Sequence, residues 1–203
     1  MRIFAEKLNK ALVLFFVTSF FILLPAAAQA KKMDILNFNK GETPTDGIKA
    51  EVSLSEEHAL KKNAVTLKVK ATEDGGACIA ECPPKKGVWG GFDFIKLGIF
   101  NPTGKPLKFI FVIKPTTPIK YQDRYDAELL VKPGKNDLEI ALTGVSTNGG
   151  GALVLKDRIA IWSLSPVAIK KDDSYFVQYF RACTQDEIEK DEKAGVSGNL
   201  GAE

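Results

Sequence analysis

The densest cluster of polar and aromatic side chains in the sequence is a five-residue segment that contains Tyr121, Asp123, Arg124 and Tyr125. An arginine and an aspartate together can hydrogen-bond two neighbouring hydroxyl groups of a ligand, because both side chains present paired polar atoms. The same two side chains can instead form a salt bridge that holds a loop shut. The sequence favours this structural role for the pair and leaves ligand contact open.

The two tryptophans, Trp89 and Trp162, are the other candidates for contact with a ligand, since each has a flat aromatic face. Trp162 alternates with Ile159 and Ile161 along a run of strand character and falls on the opposite face from them. Trp89 begins a run beside two glycines. Large aromatic residues also fill ordinary cores, so packing stays open for both tryptophans, and solvent exposure separates the two interpretations.

No recognisable catalytic centre appears in the sequence. His58 is the only histidine, and no serine lies in the Gly-x-Ser-x-Gly context of a nucleophile elbow. The glycines at 149–151 are not followed by Gly-Lys-Ser/Thr, which excludes a phosphate-binding loop of that type. The sequence therefore predicts a domain that binds and does not catalyse, and it predicts no cofactor.

The cysteine count is odd, with Cys78, Cys82 and Cys183. Three thiols and one distant histidine do not match a four-ligand zinc site, so no metal is predicted. Three residues separate Cys78 from Cys82, which allows a short disulfide if the chain doubles back between them. We predict this bridge, with Cys183 outside it.

The first 30 residues have the order of a secretory signal peptide. Three basic residues among the first ten precede the apolar run Leu12–Leu24, and Ala28-Gln-Ala30 supplies small residues for cleavage. The apolar run is shorter than the ~20 residues that a membrane span needs. We predict cleavage after Ala30, a periplasmic or secreted product, and no membrane span in the mature chain.

Removing that segment takes three basic residues from a total of 28 and one acidic residue from a total of 25, which leaves a net charge of +1. A charge so close to neutral is not typical of a nucleic-acid-binding protein, which needs a concentrated basic face. The remaining 173 residues have the length of one domain.

Short apolar-alternating runs separated by Gly, Pro, Asn and Asp predict an all-β domain made of an antiparallel double sheet. Proline and glycine in Asn101–Gly104 predict a hairpin between two long strands, and 132–134 predicts the same farther on. The segments 70–88 and 143–157 are predicted to be surface loops. The nine predicted strands are Met33–Phe38, Ile48–Leu54, Ala64–Val69, Phe92–Asn101, Leu107–Ile113, Tyr125–Val131, Asn136–Leu142, Ile159–Leu164 and Ser174–Phe180.

The composition becomes almost entirely polar after Cys183. Thr184 and Glu187 have the spacing of a capping box, which predicts one short solvated helix followed by a disordered tail. The predicted organisation is a signal peptide at 1–30, a β-sandwich domain at 31–183, and a polar helix with a disordered tail at 184–203.

A run of segments carries a family resemblance over about residues 33–180. In chain order they include Asn37-Phe-Asn39, Val65-Thr-Leu-Lys-Val69, Trp89-Gly-Gly-Phe-Asp-Phe-Ile-Lys-Leu97, Phe100-Asn-Pro-Thr-Gly-Lys-Pro106, Leu130-Val-Lys-Pro-Gly-Lys-Asn-Asp-Leu-Glu-Ile-Ala-Leu142 and Asp157-Arg-Ile-Ala-Ile-Trp162. This order resembles the galactose-binding-domain-like jelly rolls that serve as carbohydrate-binding modules in secreted bacterial proteins. The resemblance implies an antiparallel jelly-roll β-sandwich that recognises a glycan. For this chain we predict stacking by Trp or Tyr side chains and hydroxyl contacts from Asp123 and Arg124.

The resemblance does not carry a structural calcium over to this chain. Members often have an acidic Phe-Asp-Phe-Glu-like first strand, whereas this chain has asparagine at 37 and 39, so the charge that calcium prefers is missing. Two other functions remain open. One is an envelope structural or protein-interaction domain without a glycan ligand, and the other, less favoured, is a glycoside-active enzyme with a carboxylate pair.

Overall fold

The computed structural model describes residues 31–118 and 120–193. The predicted signal peptide and the predicted disordered tail lie outside these ranges and stay predictions. Within these ranges, no helix combines the length and the apolar character that a membrane crossing requires.

Two antiparallel sheets form the fold, and the prediction of an all-β sandwich with one short C-terminal helix is confirmed. The strands are β1 (Lys32–Leu36), β2 (Asp46–Ile48), β3 (Ala50–Ser55), β4 (Thr66–Ala71), β5 (Cys78–Glu81), β6 (Phe94–Asn101), β7 (Leu107–Lys114), β8 (Tyr125–Val131), β9 (Gly134–Ala141), β10 (Ile161–Pro166) and β11 (Ser174–Cys183), and the helix α1 is Gln185–Lys193.

The larger sheet has the order β3-β4-β11-β6-β9, with β1 also paired to β11. The smaller sheet has the order β2-β5-β10-β7-β8. The ten-residue strand β11 is central to the larger sheet, because its first half pairs with β4, its second half with β1, and its other edge with β6. One irregularity between Val177 and Tyr179 shifts its register against β6.

The sequence predicted nine strands, and it missed β2 and β5. The strand β2 has only three residues, all exposed, so it has no apolar alternation to detect. The strand β5 lies in the segment predicted to be a loop, and three of its four residues are buried in succession. Burial on both faces removes the period-two pattern by which a strand is recognised.

The two predicted hairpins are wrong, because both turns carry the chain from one sheet to the other. The turn after β6 leads from the larger sheet to β7 in the smaller, and the 132–134 turn leads from β8 back to β9. Asn101 links the two turns, since its buried amide donates to the carbonyl oxygens of Lys105 at 2.7 Å and Val131 at 3.2 Å. Turn chemistry shows where a chain reverses, but it does not specify the sheet that receives the next strand.

The predicted disulfide is also absent, since Cys78 and Cys82 are not bonded to each other. Cys78 begins β5, and Cys82 follows the end of that strand. Four residues of extended strand separate their Cα atoms by about 13 Å, whereas a disulfide needs ~4.4–6.8 Å. The same undetected strand therefore caused both errors.

The helix α1 begins after Thr184 as predicted, but the capping box does not form. The Thr184 hydroxyl instead accepts a hydrogen bond from the backbone N–H of Lys31 at 3.0 Å. Asp93 accepts from the backbone N–H of Gln185 at 3.0 Å and so caps the helix from the end of the sheet. The helix is not wholly solvated either, because Ile188 is buried.

Candidate functional site

The larger sheet has one face in the core and one face that points away from it, here called the outer face. Side chains alternate between the two faces of a strand, and the register aligns the outward ones into rows. The first row crosses four strands as Asp34, Arg181, Lys96 and Glu139. Two basic residues, Arg181 and Lys96, thus lie side by side between two acidic ones.

Lys96 is the most unusual member of this row, because its side chain is only 2% exposed. Its ammonium lies 3.0 Å from a carboxylate oxygen of Glu139 and 3.8 Å from one of Asp137. Burial lowers the pKa of Lys96, but the hydrogen bond to Glu139 and the negative charges of Asp137 and Glu139 outweigh burial and raise it overall. Lys96 is therefore a charged group held in a fixed position on the outer face.

The second row contains Tyr179, Gly98 and Asp137 on three adjacent strands. The Tyr179 ring occupies the space above Gly98, where the Cβ of any other residue would overlap it. Its hydroxyl donates a short hydrogen bond to Asp137. Burial, this hydrogen bond and the charge of Asp137 raise the pKa of Tyr179, so the phenol stays neutral and stays a donor.

Arg181 joins the two rows, since its guanidinium carbon lies 4.4 Å from the centre of the Tyr179 ring. This contact is a cation–π interaction, which places a planar cation beside a planar ring. Among the described residues, nothing accepts a hydrogen bond from the buried Nε of Arg181. The Tyr179–Arg181 pair thus combines flat surfaces with donor groups.

A third row consists of Lys68, Phe176, Phe100 and Lys135. Phe176 is buried although it points away from the core, because His58 covers it: the two ring centres are 4.6 Å apart. The three rows together form an aromatic and charged strip with residues from five strands. Such a strip can stack against a ring-shaped ligand and hydrogen-bond its hydroxyl groups.

Both tryptophans lie in the core, where neither has any exposed surface. Phe111 lies between them, with ring centres 6.4 Å from Trp89 and 6.5 Å from Trp162. The Trp89 indole donates to the carbonyl oxygen of Lys86 at 2.7 Å, and that of Trp162 donates to Glu81 at 3.1 Å. The packing interpretation therefore describes both residues, since a ring without exposed surface cannot stack on a ligand.

The cluster around residues 121–125 lies at one end of the sandwich. The salt bridge considered between Arg124 and Asp123 does not form there. Arg124 binds Asp126, at 3.0 Å and 2.5 Å, instead of Asp123. Asn148 donates to the same carboxylate at 3.2 Å, so the ion pair of Arg124 with Asp126 holds the 143–157 loop. Tyr125 is half-buried, and burial raises its pKa.

Two residues of this cluster remain open to solvent. Tyr121 is 62% exposed and stacks beneath Arg124 at 4.7 Å. Asp123 lines a cleft of about 450 Å³ with Thr147, Lys156 and Asp157. Gly149 lies so close to Gln122 that a Cβ would overlap it, which gives the glycine-rich loop a packing role. This cleft is separate from the outer face.

The outer face was not predicted from the sequence, although most of its residues lie in predicted strands. A lysine between Ile95 and Leu97 in an apolar strand indicates an outward polar position, as Lys96 is. The alternation of Tyr179, Phe180 and Arg181 gives the same signal in β11. What the sequence does not show is that these positions lie on adjacent strands, because sheet order and register bring them together.

The structure resembles solved β-sandwich domains at low sequence identity. A solution structure of CtCBM11 is 14% identical with a TM-score of 0.56, and the match covers 78% of this chain and 98% of that one. The family 11 carbohydrate-binding module of the cellulosomal cellulase Lic26A-Cel5E from Clostridium thermocellum is 16% identical with a TM-score of 0.50, and covers 77% and 95%. An exo-β-agarase is 12% identical with a TM-score of 0.59, over 73% of this chain but only 24% of the enzyme.

These likenesses show that the chain has the fold of carbohydrate-binding β-sandwiches, as the sequence resemblance implied. No family model matches the sequence, and no curated protein matches it. The class of fold is therefore established.

Proposed function

We propose that this protein is an exported, non-catalytic domain that binds a carbohydrate on the outer face of its larger sheet. The observation that carries the proposal is the cluster in which Tyr179, Asp137, Lys96 and Glu139 fix one another across three strands. Burying an ammonium carries a large desolvation penalty even when it is paired. A charged cluster fixed on a sheet surface at this cost is suited to hold a polar ligand in one orientation.

The chemistry of this cluster suits a sugar. A sugar ring has an apolar C–H face that aromatic and guanidinium planes can cover, and its hydroxyl groups need both donors and acceptors. Tyr179 and Arg181 offer the planes and the donors, Asp137 and Glu139 offer partly exposed acceptors, and the buried ammonium of Lys96 holds the two carboxylates in place. Both carboxylates are bound to Lys96, which supports binding and not catalysis by an acid and base pair.

Weak affinity is expected, because one aromatic contact and each hydrogen bond contribute on the order of 1 kcal/mol. After association costs, the dissociation constant should fall between roughly micromolar and millimolar. The choice of ligands to test follows the structural relatives, which include a module of a cellulase and an agarase. Cello- and agaro-oligosaccharides are therefore the first probes, within a wider glycan array.

The rival location for the same ligand is the cleft beside Tyr121 and Asp123 at the end of the sandwich. Exposure of Tyr121 supports it, while the commitment of Arg124 to Asp126 removes one proposed hydroxyl contact. Two tyrosine variants compare the locations directly. Tyr179→Ala should weaken binding about tenfold or more, whereas Tyr121→Ala should leave it nearly unchanged in calorimetric titrations.

The reverse result would move the site to the loop end. If the wild-type protein binds no glycan at millimolar concentration, the envelope protein-interaction function replaces this proposal. Export is tested separately by sequencing the N-terminus of protein from the envelope fraction, where Lys31 is the expected first residue. A retained Met1 would contradict export with cleavage.

A further inference from the structure

The loop that joins β3 to β4 crosses the outer face and places a side chain on its aromatic row. The His58 ring lies 3.7 Å from the centre of the Phe100 ring and nearly parallel to it, at 12°. It also meets Phe176 edge-on at 4.6 Å. His58 thus occupies the stacking position over Phe100 that a flat ligand would take.

Three side chains from the outer face hold the backbone of this loop. Gln178 donates to the carbonyl oxygen of His58 at 2.5 Å, and Thr66 donates to that of Glu57 at 2.8 Å. Lys68 pairs with the Glu57 carboxylate at 3.0 Å. None of these contacts uses the imidazole ring, so the loop has anchors that do not depend on the side chain at position 58.

The backbone of His58 has a φ of 55°, a conformation that suits glycine and is uncommon for other residues. The imidazole ring of His58 therefore stands at a position whose backbone conformation favours glycine. Phe100 is the next outward position after Gly98 on β6, about 7 Å along the strand. The face of Phe100 that His58 covers is therefore adjacent to the row formed by Tyr179, Gly98 and Asp137.

We infer that His58 closes one end of the binding surface and limits the length of glycan that it holds. This inference rests on the proposed function and concerns the same face. A ligand seated on Tyr179 and Arg181 and extending along β6 would meet the His58 ring before it reached Phe100. Removing the ring should expose one further stacking position.

The experiment compares His58→Gly with His58→Phe, because glycine removes the ring and fits the backbone, while phenylalanine keeps a flat ring on Phe100. Calorimetric titrations would use cello- and agaro-oligosaccharides of increasing length, and thermal melts would confirm folding. If the glycine variant does not fold, His58→Asn replaces it, since asparagine also tolerates positive φ.

We expect the glycine variant to bind the longer oligosaccharides about fivefold more tightly than the wild type, the size of one added aromatic contact. Its affinity for the shortest bound oligosaccharide should not change, and the phenylalanine variant should match the wild type at every length.

A wild type that binds glycans while the glycine variant shows no length-dependent gain in affinity would overturn the inference and leave the proposed function intact. An equal gain in both variants would also overturn it, because loop movement would then be the cause. Absence of binding in the wild type and in both variants would reject the inference together with the proposed function.

Discussion

Tyr179 on β11 lies across Gly98 on the neighbouring strand, and its hydroxyl reaches Asp137 on the strand beyond. Three strands are therefore connected on the outer face by one side chain, and this arrangement needs a residue without a Cβ at position 98.

Gly98→Ala should displace the Tyr179 ring, because the added methyl group would overlap it. We expect a loss of stability of about 1–3 kcal/mol, the usual range for overpacking, and glycan binding as weak as that of Tyr179→Ala. Tyr179→Phe is the matched control, since it keeps the ring and removes only the hydrogen bond to Asp137. Urea denaturation and calorimetric titration measure the two effects, and normal binding by Gly98→Ala would contradict the arrangement.

Lys96→Met should destabilise the protein by about 1–2 kcal/mol. Breaking a buried ion pair costs about 3–5 kcal/mol when the remaining charge stays buried, but Asp137 and Glu139 are 38% and 42% exposed and can be hydrated. Lys108→Met is the control, because its pair with Glu128 is exposed on both sides and should contribute less than about 1 kcal/mol. Equal losses of stability in both variants would show that Lys96 is an ordinary surface lysine.

Glu81→Gln should stabilise the protein at neutral pH. Glu81 has no exposed surface, and one carboxylate oxygen has no hydrogen-bond partner among the described residues. Burial raises its pKa, although the hydrogen bond from Trp162 partly opposes this. A carboxyl group whose pKa is higher in the folded state destabilises the fold as pH rises above its unfolded pKa. The advantage of the glutamine variant in the free energy of unfolding should thus shrink as pH falls from the raised folded-state pKa to the ordinary carboxyl range, and it should be lost below that range. A stability advantage of Glu81→Gln that grows as the pH is lowered would contradict this prediction.

Trp162→Ala should lower stability by about 3–5 kcal/mol, because the indole is buried against Phe180 with ring centres 4.8 Å apart. Trp162→Phe retains most of this packing and should bind glycan normally while folded. Thermal melts and titration of the phenylalanine variant separate a packing role from a binding role. Weakened glycan binding by a fully folded phenylalanine variant would contradict the assignment of Trp162 to the core.

Strand positions were largely readable from the sequence, because apolar alternation reports burial on one face. Tyr125–Val131 was predicted with the bounds of β8, and Leu107–Ile113 differs from β7 by one residue. Alternation also placed Trp162 and Ile161 on opposite faces. It did not show that the tryptophan face is the core, since either face of a strand with large residues on both sides can be buried.

The candidate site was not readable in the same way. Lys96, Tyr179 and Asp137 are far apart in sequence and become neighbours only through the pairing of β6, β9 and β11. Tyr121–Tyr125, by contrast, is a cluster within one short segment, and its Arg124 secures a loop through Asp126. Clustering in sequence reports local structure, whereas a site on a sheet is assembled by register between strands.

The location of the ligand is tested most directly by amide chemical shifts recorded while the mature protein is titrated with a glycan that it binds. We predict that the largest changes occur at Lys96, Gly98, Asp137, Tyr179 and Arg181, and that residues 121–125 change little. Changes confined to 121–125 and the 143–157 loop, with the outer face unaffected, would contradict it.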